Sequence, residues 1–225
     1  MDIRFDAASV KFGARQALEP LSLSLAQARI GIVGLNGSGK STAAKLVAGL
    51  LQPTAGKVCL NGLDTVTDAK ALSGKTGYIF QNPANQIIMP IVGEDMEFGL
   101  RNRKMDKAAR LAAVSQTLDQ LGIAHLEKRR AHELSGGELQ LAALAAVLVT
   151  GPDLIILDEP TNQLDLKNRR MVEATIAGLS QQLIVISHDL DLLNGFDRVL
   201  VFHEGRLVED GAPAHAIARY REIAA

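Results

Sequence analysis

The chain contains few cysteines and aromatic residues, no excess charge and no long apolar run. Its single cysteine, Cys59, excludes an internal disulfide. The 24 basic and 25 acidic side chains give a net charge of −1, which argues against nucleic acid as the default partner. Its longest apolar run, residues 141–149, is too short to cross a bilayer. Residues 1–6 lack the apolar core of a signal peptide, so we expect any membrane association to depend on a partner.

The remaining composition is that of a packed α/β domain. Of the 225 residues, 47% are apolar and 22% are charged, which is typical of a single globular domain. Short, wholly apolar runs alternate with helical patterns, which predicts a parallel sheet buried on both faces. The strands expected in it are residues 30–33, 77–80, 154–157 and 183–186. Residues 199–202 and 206–208 predict a closing hairpin.

Two regions depart from this parallel pattern. Alternating segments at 3–5, 21–25 and 56–61 predict an antiparallel β patch near the N-terminus. Helical patterns at 104–121 and 137–149 predict a helical lobe inserted between parts of the sheet. We therefore expect one domain over 1–225, with a catalytic core at 1–82 and 151–225 and a helical subdomain at 83–150.

A phosphate-binding loop is the clearest motif. Residues 34–41 read G-x-x-x-x-G-K-S, after an apolar strand pattern and before a helical one. Its glycines let successive backbone N–H groups point inward as a nest, and the helix start adds its positive dipole end. Lys40 is expected to reach the β- and γ-phosphates, and Ser41 to offer its hydroxyl to Mg²⁺. The residues expected to bind ATP here are Gly34, Leu35, Asn36, Gly37, Ser38, Gly39, Lys40, Ser41 and Thr42.

Two carboxylates end a buried strand further along the chain. Asp158 and Glu159 follow the apolar run 154–157, and the alternation of side chains along a strand predicts that the two carboxylates point in different directions. Asp158 is suited to holding Mg²⁺ through water, and Glu159 to polarising an attacking water. A second nest is expected at Ser135, Gly136 and Gly137, where Ser135 would in any case cap a helix.

These motifs together resemble the ATP-binding cassette ATPases, and the resemblance runs essentially from end to end. Six motifs occur in the family's order: the Walker A loop at 34–41, Gln81 of the Q-loop, the signature at 134–138, the Walker B residues Asp158 and Glu159, the D-loop at 162–165, and the switch histidine His188. The resemblance implies a P-loop ATPase fold and catalytic roles for Glu159, His188 and Gln81. It also implies Mg²⁺ ligation by Ser41, Gln81 and Asp158.

The same resemblance implies a composite site made by two subunits. The signature residues Ser135, Gly136 and Gly137 of one subunit would close over the phosphates held by the other, so ATP drives dimer closure. Phe12 would stack on the adenine, although the residue pattern also permits a core phenylalanine on an edge strand. The second subunit would be a second copy or a paralogue.

Four positions depart from the family pattern. Glu138 stands where glutamine is frequent, and Leu141 where an arginine or lysine is frequent. The D-loop pair at 162–163 is also unusual. None of these changes removes the Ser–Gly–Gly nest.

Residues 80–99 are similar to the segment after the Q-loop in energy-coupling-factor ATPases, which energise vitamin and metal-ion uptake. The apolar stretch 87–91 is expected to help line the groove that receives a coupling helix of transmembrane transporter subunits, although the pattern also permits packing against the helical lobe. Glu94 and Asp95 are expected to cap a following helix. The resemblance places the chain at the cytoplasmic face of the cell membrane, as a peripheral subunit. Biotin is the first expected cargo, and cobalt or nickel the second.

Three other functions compete with transport. A soluble cassette ATPase acting on ribosomes or nucleic acid would typically carry two cassettes, basic tracts or a long coiled coil. A P-loop small-molecule kinase needs neither the signature nor the switch histidine. A scaffold without turnover is disfavoured by the presence of both Glu159 and His188.

Overall fold

The computed structural model describes all 225 residues, and the chain folds as two compact units. The first unit combines three stretches of chain, Met1–Thr76, Asp153–Glu159 and Gln181–Ala225. The second unit combines Gly77–Pro152 and Pro160–Ser180. The functional subdomains at 1–82, 83–150 and 151–225 stay a prediction.

Ten strands and eight α-helices form the fold. The strands are β1 Ile3–Phe12, β2 Arg15–Leu25, β3 Arg29–Gly34, β4 Ala55–Leu60, β5 Leu63–Asp64, β6 Thr76–Ile79, β7 Leu154–Asp158, β8 Gln182–Ile186, β9 Arg198–His203 and β10 Arg206–Gly211. The helices are α1 Lys40–Val47, α2 Ala69–Leu72, α3 Val92–Gly99, α4 Lys107–Gln120, α5 Gly136–Leu148, α6 Leu166–Ala177, α7 Leu190–Leu193 and α8 Pro213–Ala224. None of the helices combines the length and the apolar character needed to traverse a membrane.

The first unit is built on a parallel sheet. β3 pairs in parallel with both β8 and β9, and β7 pairs in parallel with β8. β10 closes the sheet as an antiparallel hairpin with β9. Every residue of β7 and β8 is buried, which is the pattern of a sheet covered on both faces. The expected α/β fold with a parallel-sheet core is confirmed.

A second, antiparallel sheet in the first unit has the order β2-β1-β4-β5. Its register pairs Ile3 with both Leu25 and Leu60, three side chains that are almost completely buried. The predicted β patch is therefore confirmed, with longer strands than the short alternating segments indicated.

The second unit is mainly helical. α5 is buried on most of its surface, so it is the core helix of this unit, and α3, α4 and α6 pack against it. Its N-terminus begins one residue before the predicted 137. α4 begins at Lys107 rather than at 104, because the Asp106 carboxylate accepts the N–H of Ala109 at 2.8 Å and caps the helix there.

Glu94 and Asp95 do not cap a following helix. Both lie in the first turn of α3 itself. Asp95 is buried, and its Oδ1 accepts the backbone N–H groups of Ile88 and Met89 at 2.7 and 2.8 Å. The carboxylate thus fixes the preceding loop, a role that a sequence pattern of two adjacent acids does not reveal.

Candidate nucleotide-binding site

The phosphate-binding loop connects β3 to α1. β3 ends at Gly34, and α1 begins at Lys40 after a cap residue, Gly39, with a φ of 101°. That left-handed conformation favours glycine. A Cβ on Gly39 would also lie 2.9 Å from the backbone oxygen of Ala17, and a Cβ on Gly34 would overlap that of Phe202. Close backbone approach therefore requires both glycines.

Lys40 is held inside the curve of this loop. Its Nζ donates to the carbonyl oxygens of Gly34 and Leu35 at 2.7 and 2.9 Å, and the residue is only 7% exposed. Burial lowers the pKa of the ammonium, and the nearby carboxylates of Glu159 and Asp158 partly offset this shift. The lysine is thus positioned beside the loop backbone with two acidic groups close enough to influence its charge.

Two hydroxyl groups fit the binding of a triphosphate with a divalent cation. The Ser38 Oγ is buried and has no hydrogen-bond partner in the protein, as suits a group that donates to a phosphate oxygen. The Ser41 Oγ donates to Asp158 Oδ1 at 3.2 Å. A hydroxyl and a carboxylate oxygen in contact provide the hard ligands that Mg²⁺ prefers, and no cluster of three or more His, Cys, Asp or Glu residues competes with them as a metal site.

Glu159 and His188 form a close pair. The Glu159 Oε1 lies 3.2 Å from His188 Nε2, and its Oε2 accepts the backbone N–H of His188 at 3.2 Å. Glu159 has a φ of 54°, a left-handed conformation that is unusual for a glutamate and typical of functional sites. Its pKa is raised by burial, against the opposing effects of His188 and Lys40. This combination suits a carboxylate that takes part in proton transfer.

The first unit thus brings the loop, Asp158, Glu159 and His188 into one connected cluster. Phe12 lies at the end of β1 and is 54% exposed, so its ring is available for stacking and is not part of the core.

Sequence reasoning missed Arg15, whose guanidinium would lie 3.2 Å from a Cβ on Gly37. It also missed Tyr220, whose hydroxyl lies 3.4 Å from His188 Nδ1. Neither belongs to a motif, and only the fold reveals their positions.

The other predicted residues lie in the second unit. Ser135 caps α5: its Oγ accepts the N–H of Glu138, and the Glu138 carboxylate accepts in return from the backbone N–H and the hydroxyl of Ser135, both at 2.8 Å. These bonds lower the pKa of Glu138. Gly136 is exposed, whereas Gly137 is buried beneath Asn168, whose side chain a Cβ on Gly137 would meet at 2.5 to 2.7 Å.

Gln81 and the signature meet at one cavity within this unit. The cavity has a volume of about 350 Å³, and its lining includes Gln81, Gly136 and Gln140. Leu141, at a position where the family often has a charged residue, is 1% exposed and belongs to the core of the unit. In this structure the leucine side chain therefore contributes to the packing of the second unit.

A parallel sheet whose central strand leads through a phosphate-binding loop into a helix is the P-loop nucleotide-binding fold. Residues 18–162 match the family model described as ABC transporter. The chain therefore belongs to the ABC transporter family, and it is an ATPase of that family.

Individual relatives extend this finding over the whole chain. The biotin transport ATP-binding protein BioM of Rhizobium etli is 60% identical over 225 residues, which cover 100% of both chains. The energy-coupling factor transporter ATP-binding protein EcfA1 of Mycoplasmoides gallisepticum is 37% identical over 94% of this chain and 78% of its own length. The solved structure of cbiO1 from Clostridium perfringens, described as part of the ABC transporter complex cbiONQ, is 28% identical, with a TM-score of 0.85 over 99% of this chain and 92% of its own.

Proposed function

We propose that this chain is the ATP-hydrolysing subunit of an energy-coupling-factor transporter that takes up biotin. The observation that carries the proposal is the 60% identity to BioM, a biotin transport ATP-binding protein, without any uncovered stretch in either chain. The likeness to EcfA1 supports the energy-coupling-factor type. No observation favours the competing function of an ATPase that acts on ribosomes or nucleic acid.

The nucleotide site is proposed to work as follows. The loop from Gly34 to Thr42 binds the phosphates of ATP, and Lys40 exchanges its bonds to the loop carbonyls for bonds to phosphate oxygens. Ser41 and Asp158, whose side-chain oxygens are in contact, would hold Mg²⁺, which when bound would offset phosphate charge. The roles expected of Gln81, which lies in the second unit, stay predictions.

Hydrolysis is proposed to depend on Glu159 and His188. The Glu159 carboxylate accepts a proton from the attacking water, a role helped by its raised pKa. His188, in contact with both oxygens of that carboxylate, orients it and donates toward the transferred phosphate. Phe12 is proposed to stack on the adenine.

The proposal requires partners. Ser135, Gly136 and Gly137 of a second cassette subunit, identical or paralogous, close over the phosphates, so ATP binding drives dimer closure and hydrolysis reverses it. Transmembrane subunits bind the cassette at the 87–91 segment through a coupling helix and hold it at the cytoplasmic face of the cell membrane. The closure of two cassettes is thereby transmitted to the transport pathway.

Reconstitution tests this function. The chain is purified from detergent extracts with the membrane proteins that co-purify, and the complex is placed in liposomes with ATP. We expect ATP-dependent accumulation of radiolabelled biotin, abolished by Glu159→Gln. Accumulation of cobalt or nickel without biotin would contradict the proposed cargo and retain transport. ATP hydrolysis without uptake of any of the three would contradict the transport role.

A further inference from the structure

The ring of His188 lies between a carboxylate and a phenol. On one side its Nε2 is 3.2 Å from Glu159 Oε1. On the other its Nδ1 is 3.4 Å from the hydroxyl oxygen of Tyr220. The two ring nitrogens therefore have partners of different chemistry, and those partners determine which nitrogen carries the proton.

The carboxylate favours one tautomer. The Glu159 Oε1 accepts no hydrogen bond in the structure, and an ionised carboxylate repels a ring-nitrogen lone pair 3.2 Å away, so its charge favours the tautomer with the N–H on Nε2. In a neutral imidazole the other nitrogen is then an acceptor, and Nδ1 requires a donor. The hydroxyl of Tyr220 is the donor that the structure places there.

Tyr220 is suited to act as a permanent donor. It is 8% exposed, and burial together with the nearby Glu159 charge raises its pKa above the ordinary tyrosine value of about 10. The phenol therefore keeps its proton throughout the neutral range.

The helix that carries Tyr220 is firmly packed. Ala216, Ile217 and Tyr220 form the buried face of α8, and this helix packs against β9 and β10 of the first unit. Pro213 begins the helix, and its exposed face carries Arg219 and Glu222. The phenol is thus presented to His188 by a rigid element.

We propose that Tyr220 is a positioning residue that holds His188 in the tautomer with the proton on Nε2. The same ring orientation leaves Nε2 as the donor directed toward Glu159 and, during turnover, toward the transferred phosphate. The consequence for turnover rests on the proposed function, whereas the tautomer itself does not.

The tautomer is measured directly by long-range ¹H–¹⁵N NMR on the uniformly ¹⁵N-labelled full chain. The chain has 5 histidines, and His188→Ala identifies the signals of this ring. Spectra are recorded at about pH 8.5, two units above the ordinary histidine pKa of about 6.5. We expect a single Nε2–H form in the native chain and a mixture of both tautomers in Tyr220→Phe.

Tyr78→Phe is the matched control, since it removes the only other tyrosine hydroxyl, which lies in the second unit. It should leave the His188 signals as they are. A pure Nε2–H form in Tyr220→Phe would overturn the proposal. An equal disturbance of the ring by Tyr78→Phe would also overturn it.

Kinetics separate this proposal from the proposed function. Loss of one hydrogen bond to the ring is expected to lower kcat of Tyr220→Phe by roughly two- to tenfold, with KM for ATP unchanged. A rise in KM at unchanged kcat would contradict a positioning role. If His188→Ala hydrolysed ATP at the native rate, the assigned role of His188 would fail, while the NMR result would still decide the tautomer.

Discussion

At the scale of single residues, the site concentrates features that would be unfavourable elsewhere. Glu159 combines burial, a left-handed backbone and contact with His188. Such strain persists only where the surrounding structure enforces it, and here the backbone N–H of Glu159 donates to Ile186 on the neighbouring strand at 2.9 Å. The carboxylate is therefore held in one direction relative to the phosphate-binding loop.

Substitutions of Lys40 and Glu159 should separate binding from chemistry. Lys40→Ala is expected to weaken ATP binding by about ten- to a hundredfold, because it removes a charged donor to the phosphates. Glu159→Gln should retain ATP affinity and lower the hydrolysis rate by about a hundred- to ten-thousandfold. Fluorescent-nucleotide titration and phosphate release measure the two effects. Native turnover by Glu159→Gln would show that Glu159 is not the base.

Residues in contiguous motifs were predictable, whereas isolated ones were not. The loop, the acidic pair and the signature each form a short continuous pattern, because backbone geometry there demands particular residues in sequence. Arg15 and Tyr220 approach the site only through the pairing of β1 with β2 and the packing of α8. Sequence periodicity does not predict such contacts between distant elements.

At the scale of secondary-structure elements, the start of α5 shows how tightly two helices can be fitted. Gly137 lies in its first turn, directly against Asn168 on α6. Asn168 is itself fixed, because its side-chain amide donates to Asp165 at 2.8 Å. The glycine thus has a packing reason that is independent of any phosphate.

Gly137→Ala should therefore destabilise the chain by about 1–3 kcal/mol, the usual cost of overpacking. Gly195→Ala is the matched control, since a Cβ at that position meets nothing within 4 Å; it should remain within about 0.5 kcal/mol of the native chain. Urea unfolding measures both variants. Equal stability of the two would mean that Asn168 moves aside freely.

An ion pair between α3 and α4 gives the second unit a dependence on pH. Glu97 Oε1 lies 2.9 Å from Arg110 Nε, and Glu97 Oε2 lies 3.6 Å from Arg101 Nη2. The hydrogen bond from Arg110, with a smaller contribution from Arg101, lowers the pKa of Glu97. The ionised carboxylate is thus favoured by folding, so its stabilising effect is present above the ordinary glutamate pKa of about 4.3 and disappears as pH falls through the lowered value.

Glu97→Gln should consequently melt below the native chain at pH 7, and the difference should narrow as the pH falls below the ordinary glutamate pKa of about 4.3. Thermal melts at a series of pH values measure this change. Glu222→Gln is the control, because its partner Arg219 lies on the same exposed helix face and such pairs contribute little. A difference that persisted unchanged in acid would point to lost packing instead.

Element types were more predictable than element ends. The buried strands β7 and β8 contain apolar runs at 154–157 and 183–186, and four residues are a length that suits a strand better than a helix. α4 begins later than its helical pattern because Asp106 caps it, a role that aspartate commonly has but that helical periodicity alone does not locate. α8 was not predicted, although its buried residues Ala216, Ile217 and Tyr220 recur at helical spacing.

At the scale of the whole molecule, two units share the predicted chemistry. The first carries the phosphate-binding loop and the Glu159–His188 pair, and the second carries Gln81 and the signature. The fold class followed from the sequence because the motifs are specific to one family. The identity of the cargo did not, because no residue of the chain is expected to contact it.

Docking to membrane partners should depend on the loop that Asp95 fixes. Ile88 in this loop is 74% exposed, although it is apolar. Replacing Ile88 and Met89 by Asp should release the chain from its membrane partners and leave ATP affinity unchanged, because a charged side chain opposes an apolar contact. Co-purification from detergent extracts measures the release. Leu50→Asp, at an exposed apolar residue outside this loop (54%), is the control, and equal retention of all variants would exclude this segment as the docking site.

The order of chain stretches in the first unit has a consequence for synthesis. β3 obtains both of its neighbours, β8 and β9, from the last quarter of the chain. A growing polypeptide must therefore expose an unpaired apolar strand until residue 182 and beyond have left the ribosome, a period in which such edges are prone to aggregate. We therefore expect the yield of folded protein to rise with chaperone capacity and with slower translation, a dependence that the finished fold does not reveal.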